Sequence, residues 1–329
     1  MNRRDMVFTL LALGTAPLRS FAQQEGNVRH IGFLGSRSRS NPSNPDIYYD
    51  AFLQGMRDLG YVEGKNLIIE WRFADNKYER LPRLATDLVR LKLEVIVTHA
   101  TPATKALHQA TSVIPIVSAA SGDPVSSGFA ASLARPGGNI TGLSIISTDV
   151  SPKQVELLKT LVPALSRAAV LADPRSPRYS ITLKSFQVAA QRLGVKVLPM
   201  DARTPEEIER GFAALMRERA GAVIVANDTF FIGQRRQITE LVARNRLPSM
   251  FSYREDVEAG GLMSYGLNLA DHYRRAASYV DKILNGAKPG DLPIEQPTNI
   301  HLAINRKTAN ALGITIPLEL LFRADEIIE

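Results

Sequence analysis

The chain contains no cysteine at all among its 329 residues. Disulfides, zinc–thiolate centres, a cysteine nucleophile and a lipid anchor on an N-terminal cysteine are therefore excluded. Catalytic signatures are missing too. No G-x-S-x-G elbow, H-E-x-x-H helix or P-loop occurs, and no G-x-G-x-x-G opens the first helix. The five histidines, His30, His99, His108, His272 and His301, show no metal-ligand spacing, so no metal and no cofactor is expected. The pair Glu206 and Glu207 falls in a helix's first turn, where the helix dipole accounts for it. Long apolar runs are also lacking. The longest, Met6 to Leu18, has 13 residues, short of the roughly 20 needed to cross a bilayer core.

That run has another meaning. Arg3 and Arg4 precede it, and Ser20-Phe21-Ala22 follows as a small-x-small cleavage site. This is the layout of an export signal spanning residues 1–22, with Gln23 opening the mature chain. Asp5-Met6-Val7 fits a twin-arginine pattern only loosely, so both export routes stay open. The mature protein is expected outside the cytoplasm, in the periplasm, soluble and not membrane-spanning. ATP, NAD and nucleic acid are scarce there, which disfavours many enzyme readings.

What is present suits a globular protein of two lobes. Forty-five per cent of residues are apolar and 22% charged, an ordinary balance. The net charge of +7 falls to +5 without the signal, whose Arg3, Arg4 and Arg19 outnumber Asp5 by two. The basic residues are scattered, so they read as a solvated surface and not as a nucleic-acid patch.

From Val28 onward the pattern is strand, loop, helix, repeated. Strands are expected at His30–Leu34, Asn66–Phe73, Val95–Thr98, Ile114–Ser118 and Ile140–Ile145. Helical spacing joins Tyr48, Phe52, Gly55, Met56 and Leu59, and again Leu81, Leu84, Leu88 and Leu91. Thr101-Pro102 predicts another helix, with Thr101 as its N-cap. A second series begins at Ser151, where Ser151-Pro152-Lys153-Gln154 reads as a capping box. Strand Ala168–Ala172, helix Tyr179–Leu193, strand Val195–Met200 and a second capping box at Thr204 to Glu207 follow. Strand Ala222–Ala226, helix Gly233–Asn245 and strand Pro248–Ser252 complete it. The strands are continuous apolar runs, as parallel strands covered on both faces are. The fold class is thus α/β, with two doubly wound parallel-sheet lobes.

Ligands of such sheets bind beyond the carboxyl ends of the strands. The loops there are Gly35–Asn44, Ala100–Thr104, Ala119–Ser127, Asp173–Arg178, Asn227–Phe231 and Tyr253–Asp256. Thr101 either caps its own helix or offers that helix's free N–H groups to an anion. Ser36 and Ser121 are candidates for a ligand carboxylate. Asp123 and Asp228 are candidates for an ammonium group, although Asp123-Pro124 is also an ordinary turn starter. Asn227 stands beside Asp228 at a strand end. Phe230, Phe231, Tyr253 and Tyr265 either pack or stack on a flat ligand. Trp71 is placed in the core or at a lobe edge.

The last third carries a resemblance. Ala259-Gly260-Gly261-Leu262-Met263-Ser264-Tyr265-Gly266 leads into a helix with Arg274, Arg275, Ala276, Ala277, Tyr279, Val280, Asp281, Ile283 and Leu284. Gly286-Ala287-Lys288-Pro289, Leu292-Pro293-Ile294-Glu295-Gln296-Pro297 and Asn305-Arg306-Lys307-Thr308-Ala309 follow. Together with Arg135-Pro136-Gly137-Gly138-Asn139-Ile140-Thr141-Gly142 and Asn227-Asp228-Thr229-Phe230-Phe231, these resemble the ABC-transporter substrate-binding proteins whose better-known members bind tryptophan or tyrosine. The resemblance spans the mature chain. It implies the type I periplasmic-binding-protein fold, with three crossovers near Ile146–Val150, Tyr265–Ala270 and Gln296–Asn299. Lobe 1 would comprise residues 26–146 and 268–296, and lobe 2 residues 147–267 and 297–329. The implied function is capture of a small amino-acid-like or aromatic molecule by a monomer, and its delivery to a membrane permease. A sensor presenting its ligand to a membrane receptor is the alternative, and an exported hydrolase a further one. A DNA-reading regulator of this fold class would need a head where the signal stands.

Overall fold

Two parallel-dominated sheets organise the chain, each fed by alternating strands and helices. The computed structural model describes residues 28–39, 46–145, 150–297 and 300–329. The expected signal and residues 146–149 and 298–299 of the expected first and third crossovers lie outside the described residues.

The first sheet holds β1 (Arg29–Gly35), β2 (Leu67–Phe73), β3 (Val95–Thr98), β4 (Ile116–Ser121) and β5 (Ile140–Ser144), all parallel, in the order β2-β1-β3-β4-β5. Helices α1 (Ile47–Asp58), α2 (Leu81–Arg90) and α3 (Thr101–Ala110) connect them. Trp71 lies on the edge strand β2, stacked on Phe73 at 5.7 Å. The fourth strand starts and ends later than its apolar run predicts. Pro115 O accepts the Ile96 N–H at 2.9 Å, and Ile116 gives its N–H to Asn139 O at 2.7 Å, so the ladder begins there and not at Ile114. The small residues Ala119, Ala120 and Ser121 then continue the strand, all buried. Gly142 (φ +124°) lets β5 approach β4 so closely that a Cβ there would strike the Ser118 backbone.

The second sheet is larger. Its chain order is α4 (Ser151–Leu161), β6 (Arg167–Ala172), α5 (Tyr179–Arg192), β7 (Lys196–Asp201), α6 (Pro205–Arg217), β8 (Ala222–Val225), α7 (Thr229–Gly233), α8 (Arg235–Arg244), β9 (Ser249–Phe251), α9 (Arg254–Glu258) and β10 (Met263–Gly266). The helix predicted over Gly233–Asn245 forms as α8, and a separate short helix, α7, precedes it where a loop was expected, because Asp228 caps a turn of its own. After β10 the chain leaves. Helix α10 (Leu269–Leu284), capped by Asn268, packs its Tyr273, Ala276, Ala277 and Val280 face into the first sheet's core with Ile31, Phe52 and Met56. Each such large apolar side chain gains about 1.5–3 kcal/mol on burial, which fixes α10 in the first lobe. Glu295 then pairs beside Leu143 of β5. The chain crosses back to β11 (His301–Asn305), α11 (Arg306–Leu312), α12 (Leu318–Arg323) and β12 (Glu326–Ile328). The sheet order is β12-β11-β10-β9-β8-β6-β7, with only the β10–β11 pair antiparallel. This is the expected two-lobe α/β fold.

Two predicted caps are formed differently. The N-cap of α3 is Ala100 (φ +64°), and Thr101 is the first helical residue. Thr101 Oγ1 instead accepts the Gly122 N–H at 3.0 Å. Val150 precedes α4 with no side-chain cap. Gln154, buried to 1% exposure, turns inward and donates to Tyr265 O at 2.8 Å, because a buried carbonyl left without a donor is costly. The cap at Thr204 forms as predicted, with Glu207 N donating to Thr204 Oγ1 at 3.2 Å. Among the described residues no helix is long and apolar enough to cross a membrane.

Candidate functional site

The carboxyl ends of both sheets face each other, and the lobes touch along that seam. Between them lies a cavity of about 120 Å³ lined by Ile145, Gln154, Arg178, Phe186, Asn227 and Tyr253, and closed at the crossovers by Val150, Gly266, Leu267 and Ile300. A buried water needs at least about 10–15 Å³, so this space suits a small organic molecule and not a lone water.

Of the eight residues singled out from the sequence, the cavity brings together Asn227 and Tyr253. Tyr253 Oη donates to Asn227 Oδ1 at 2.6 Å, which leaves the Asn227 amide N–H₂ as the available donor. The Tyr253 ring is buried by both lobes, 6.4 Å from that of Tyr48. Burial pushes its hydroxyl's pKa up, and the charges of Asp256, Tyr273 and Glu255 add to this. It stays a neutral donor.

The other six do not line the cavity. Ser36 is fully buried at the end of β1, and its Oγ has no hydrogen-bond partner among the described residues. Ser121 is inside β4 rather than after it, 2% exposed. Asp123 Oδ1 accepts from Val125 N and Ser126 N, each at 3.1 Å. The Ser126 N–H is the main reason its carboxyl sits below the usual range. Asp228 Oδ1 caps α7 through Phe230 N at 2.8 Å and meets Tyr78 Oη of the other lobe at 3.4 Å. Tyr265 is half-buried within β10. Phe230 and Phe231 are buried in the second lobe's core, 5.3 Å apart.

Sequence reasoning missed the polar framework across the seam. Arg37, 3% exposed, forms a two-pronged ion pair with Asp46 at 2.7 and 3.0 Å. It lies within about 5–6 Å of the rings of Tyr48, Tyr49 and Tyr273, close enough for cation–π attraction. Its Nη1 donates to His99 Nε2 at 3.3 Å. Since an arginine only donates, the proton of His99 sits on Nδ1, which is buried without a partner. Burial, reinforced by Arg37, holds His99 well below the usual histidine range, so it is neutral. On the facing lobe Arg235 pairs with Asp256 at 2.8 Å and donates to Tyr48 Oη at 2.9 Å. Arg37 and Arg178 both fall in loops that the strand-end rule selects. The missing signal was which loop residue finds a carboxylate.

Comparison with known proteins decides the family. The pattern of the family described as ABC transporter substrate binding protein matches residues 40–328. The chain belongs to that family. It is 27% identical over 264 residues to a tyrosine-binding protein of Clostridioides difficile, covering 80% of this chain and 75% of that one. A structure from Vibrio cholerae, described as a conserved domain protein, superposes with a TM-score of 0.81 at 27% identity, covering 91% of this chain and 99% of that one. An ABC domain from Streptococcus pneumoniae in complex with L-Trp gives 0.80 at 27% identity with the same coverage. The two-lobe fold of this substrate-binding protein is thus shared with a domain whose structure holds L-Trp.

Proposed function

We propose that this protein is the extracytoplasmic solute-binding component of an ABC importer. It captures a small amino-acid-like or aromatic molecule between its lobes and delivers it to a membrane permease. The observation that carries the reading is the cavity at the strand ends of both lobes, in a chain whose family match runs nearly from end to end. The similarity to a tyrosine-binding protein and to a domain in complex with L-Trp supports an aromatic amino acid as the starting ligand. Asn227 and Tyr253 contact the ligand in this reading. The protein acts as a periplasmic monomer and does not transform what it binds. A carrier must present loaded and empty forms differently, so the ligand has to favour the closed arrangement.

Native mass spectrometry of the purified mature protein tests this directly. One small molecule should co-purify in equal proportion and be recovered unchanged. Cells without the gene should lose uptake of that molecule. Normal uptake in such cells, or conversion of the molecule on incubation, would overturn the reading.

A further inference from the structure

Arg178 is the one charged side chain among the described residues lining the cavity. It is half-buried and forms no ion pair or side-chain hydrogen bond with a described residue. The other arginines of the seam are all matched: Arg37 with Asp46, Arg175 with Asp173 and Arg235 with Asp256. Asp123 senses the charge of Arg178, but its Oδ1 is turned onto its own loop's N–H groups. Arg178 also reaches the opposite lobe. Its Cδ lies 3.9 Å from where a Cβ on Gly122 would stand, beside Thr101. A guanidinium placed there touches whatever the closing lobes enclose.

The surroundings favour the same charge. Arg178 is the N-cap residue of α5, and Ser151 opens α4; both line the cavity. Neither helix carries an acidic residue in its first turn, whereas α6 and α9 each carry two. The described lining contains no carboxylate. Asn227 adds an amide donor, and Phe186, Tyr253 and Leu267 supply an apolar wall.

We infer that Arg178 is the anchor for a carboxylate on the ligand, and that the cavity selects small carboxylates with a flat apolar body over the matching amines. A guanidinium holds a carboxylate through two parallel N–H donors. It remains charged at any physiological pH. The low polarity of the closed cavity strengthens the pairing. Removing the ligand's carboxylate would bury Arg178 without a partner, so discrimination is enforced from both sides.

This inference rests on the solute-binding reading, and the two fail differently. The mature protein is stripped of bound molecules by unfolding and refolding. It is then titrated calorimetrically with L-tryptophan, L-tyrosine, 3-indolepropionate, 3-(4-hydroxyphenyl)propionate, tryptamine and tyramine. At least one carboxylate should bind, and its matching amine should bind about 100-fold more weakly or not at all. Arg178→Ala should weaken the carboxylate by about 10- to 100-fold. Arg178→Lys should recover part of that loss, because the charge returns without the fork. Thermal melts confirm that both variants fold. Equal binding of an acid and its amine, or wild-type affinity in folded Arg178→Ala, overturns the assignment and leaves the solute-binding reading standing. Binding of none of the four carboxylates overturns the ligand class, while the co-purified molecule and the uptake measurement still decide the function.

Discussion

Tyr48 and Arg235 come from opposite lobes, 187 positions apart, and meet at 2.9 Å. Arg235 donates to Tyr48 Oη, and Tyr48 donates on to Glu255 Oε2 at 3.2 Å. One buried hydroxyl thus joins α1 to the second lobe.

The Tyr48→Phe variant tests this joint. A hydrogen bond to a charged group contributes about 1.5–3 kcal/mol, and about 1.4 kcal/mol is tenfold in an equilibrium. The variant should shift toward the open arrangement and bind ligand at least several-fold more weakly. Small-angle scattering should show the wild type contracting on loading and the variant contracting only at higher ligand concentration. An unchanged affinity together with an unchanged radius would remove Tyr48 from the closing contact.

Asp228 sets an acid-side dependence of stability. Burial raises its carboxyl from 3.8 to about 6; the charge of Asp173 adds to this, and the Phe230 N–H, Ser176 and Tyr78 oppose it. The folded value lies above the unfolded one, so the native state holds the proton more tightly. The stability this provides is complete below about pH 4 and is lost as pH rises through 6. Asp228→Asn keeps an acceptor for the α7 cap and removes the ionisation. Relative to wild type, the variant should therefore gain about 1–3 kcal/mol between pH 4 and pH 7, at about 1.4 kcal/mol per pKa unit. Urea unfolding at three pH values measures it, and a difference that does not change with pH would contradict the sign argued here.

Gly55 holds α10 in place. A Cβ there would strike the Arg274 carbonyl oxygen and lie 2.9 Å from Ala277 Cβ. Overpacking costs about 1–3 kcal/mol, and contact with rigid backbone places this position at the upper end. The better helix propensity of alanine returns about 1 kcal/mol. Gly55→Ala should therefore lose about 1–2 kcal/mol and melt several degrees lower. A variant at least as stable as wild type would show that α1 and α10 can separate freely.

The export signal expected at residues 1–22 predicts a mature N-terminus at Gln23. Edman sequencing or intact-mass measurement of protein from the periplasm should find it. A chain that still carries Met1 to Ala22 in that fraction would refute the cleavage site.

The sequence alone determined the architecture. Parallel strands buried on both faces must be apolar throughout, so β3 and β8 stand out as four-residue runs of VIVT and AVIV. The repeat of strand and amphipathic helix then allows few arrangements other than two wound sheets. Local chemistry was equally readable at Thr204, where cap and acceptor lie three residues apart. It misled at Thr101 and Gln154, whose side chains answer partners 21 and 111 positions away. The tertiary structure decided those choices, because a buried polar group is satisfied by whatever the fold brings near it, whatever its own neighbours offer. The same holds for the site. The rule of strand ends selected the loops that bring Asn227 and Tyr253 to the cavity wall. That Arg37 and Arg235 are neutralised by Asp46 and Asp256 while Arg178 is not depends on distances across a closed seam, and no local spacing encodes them.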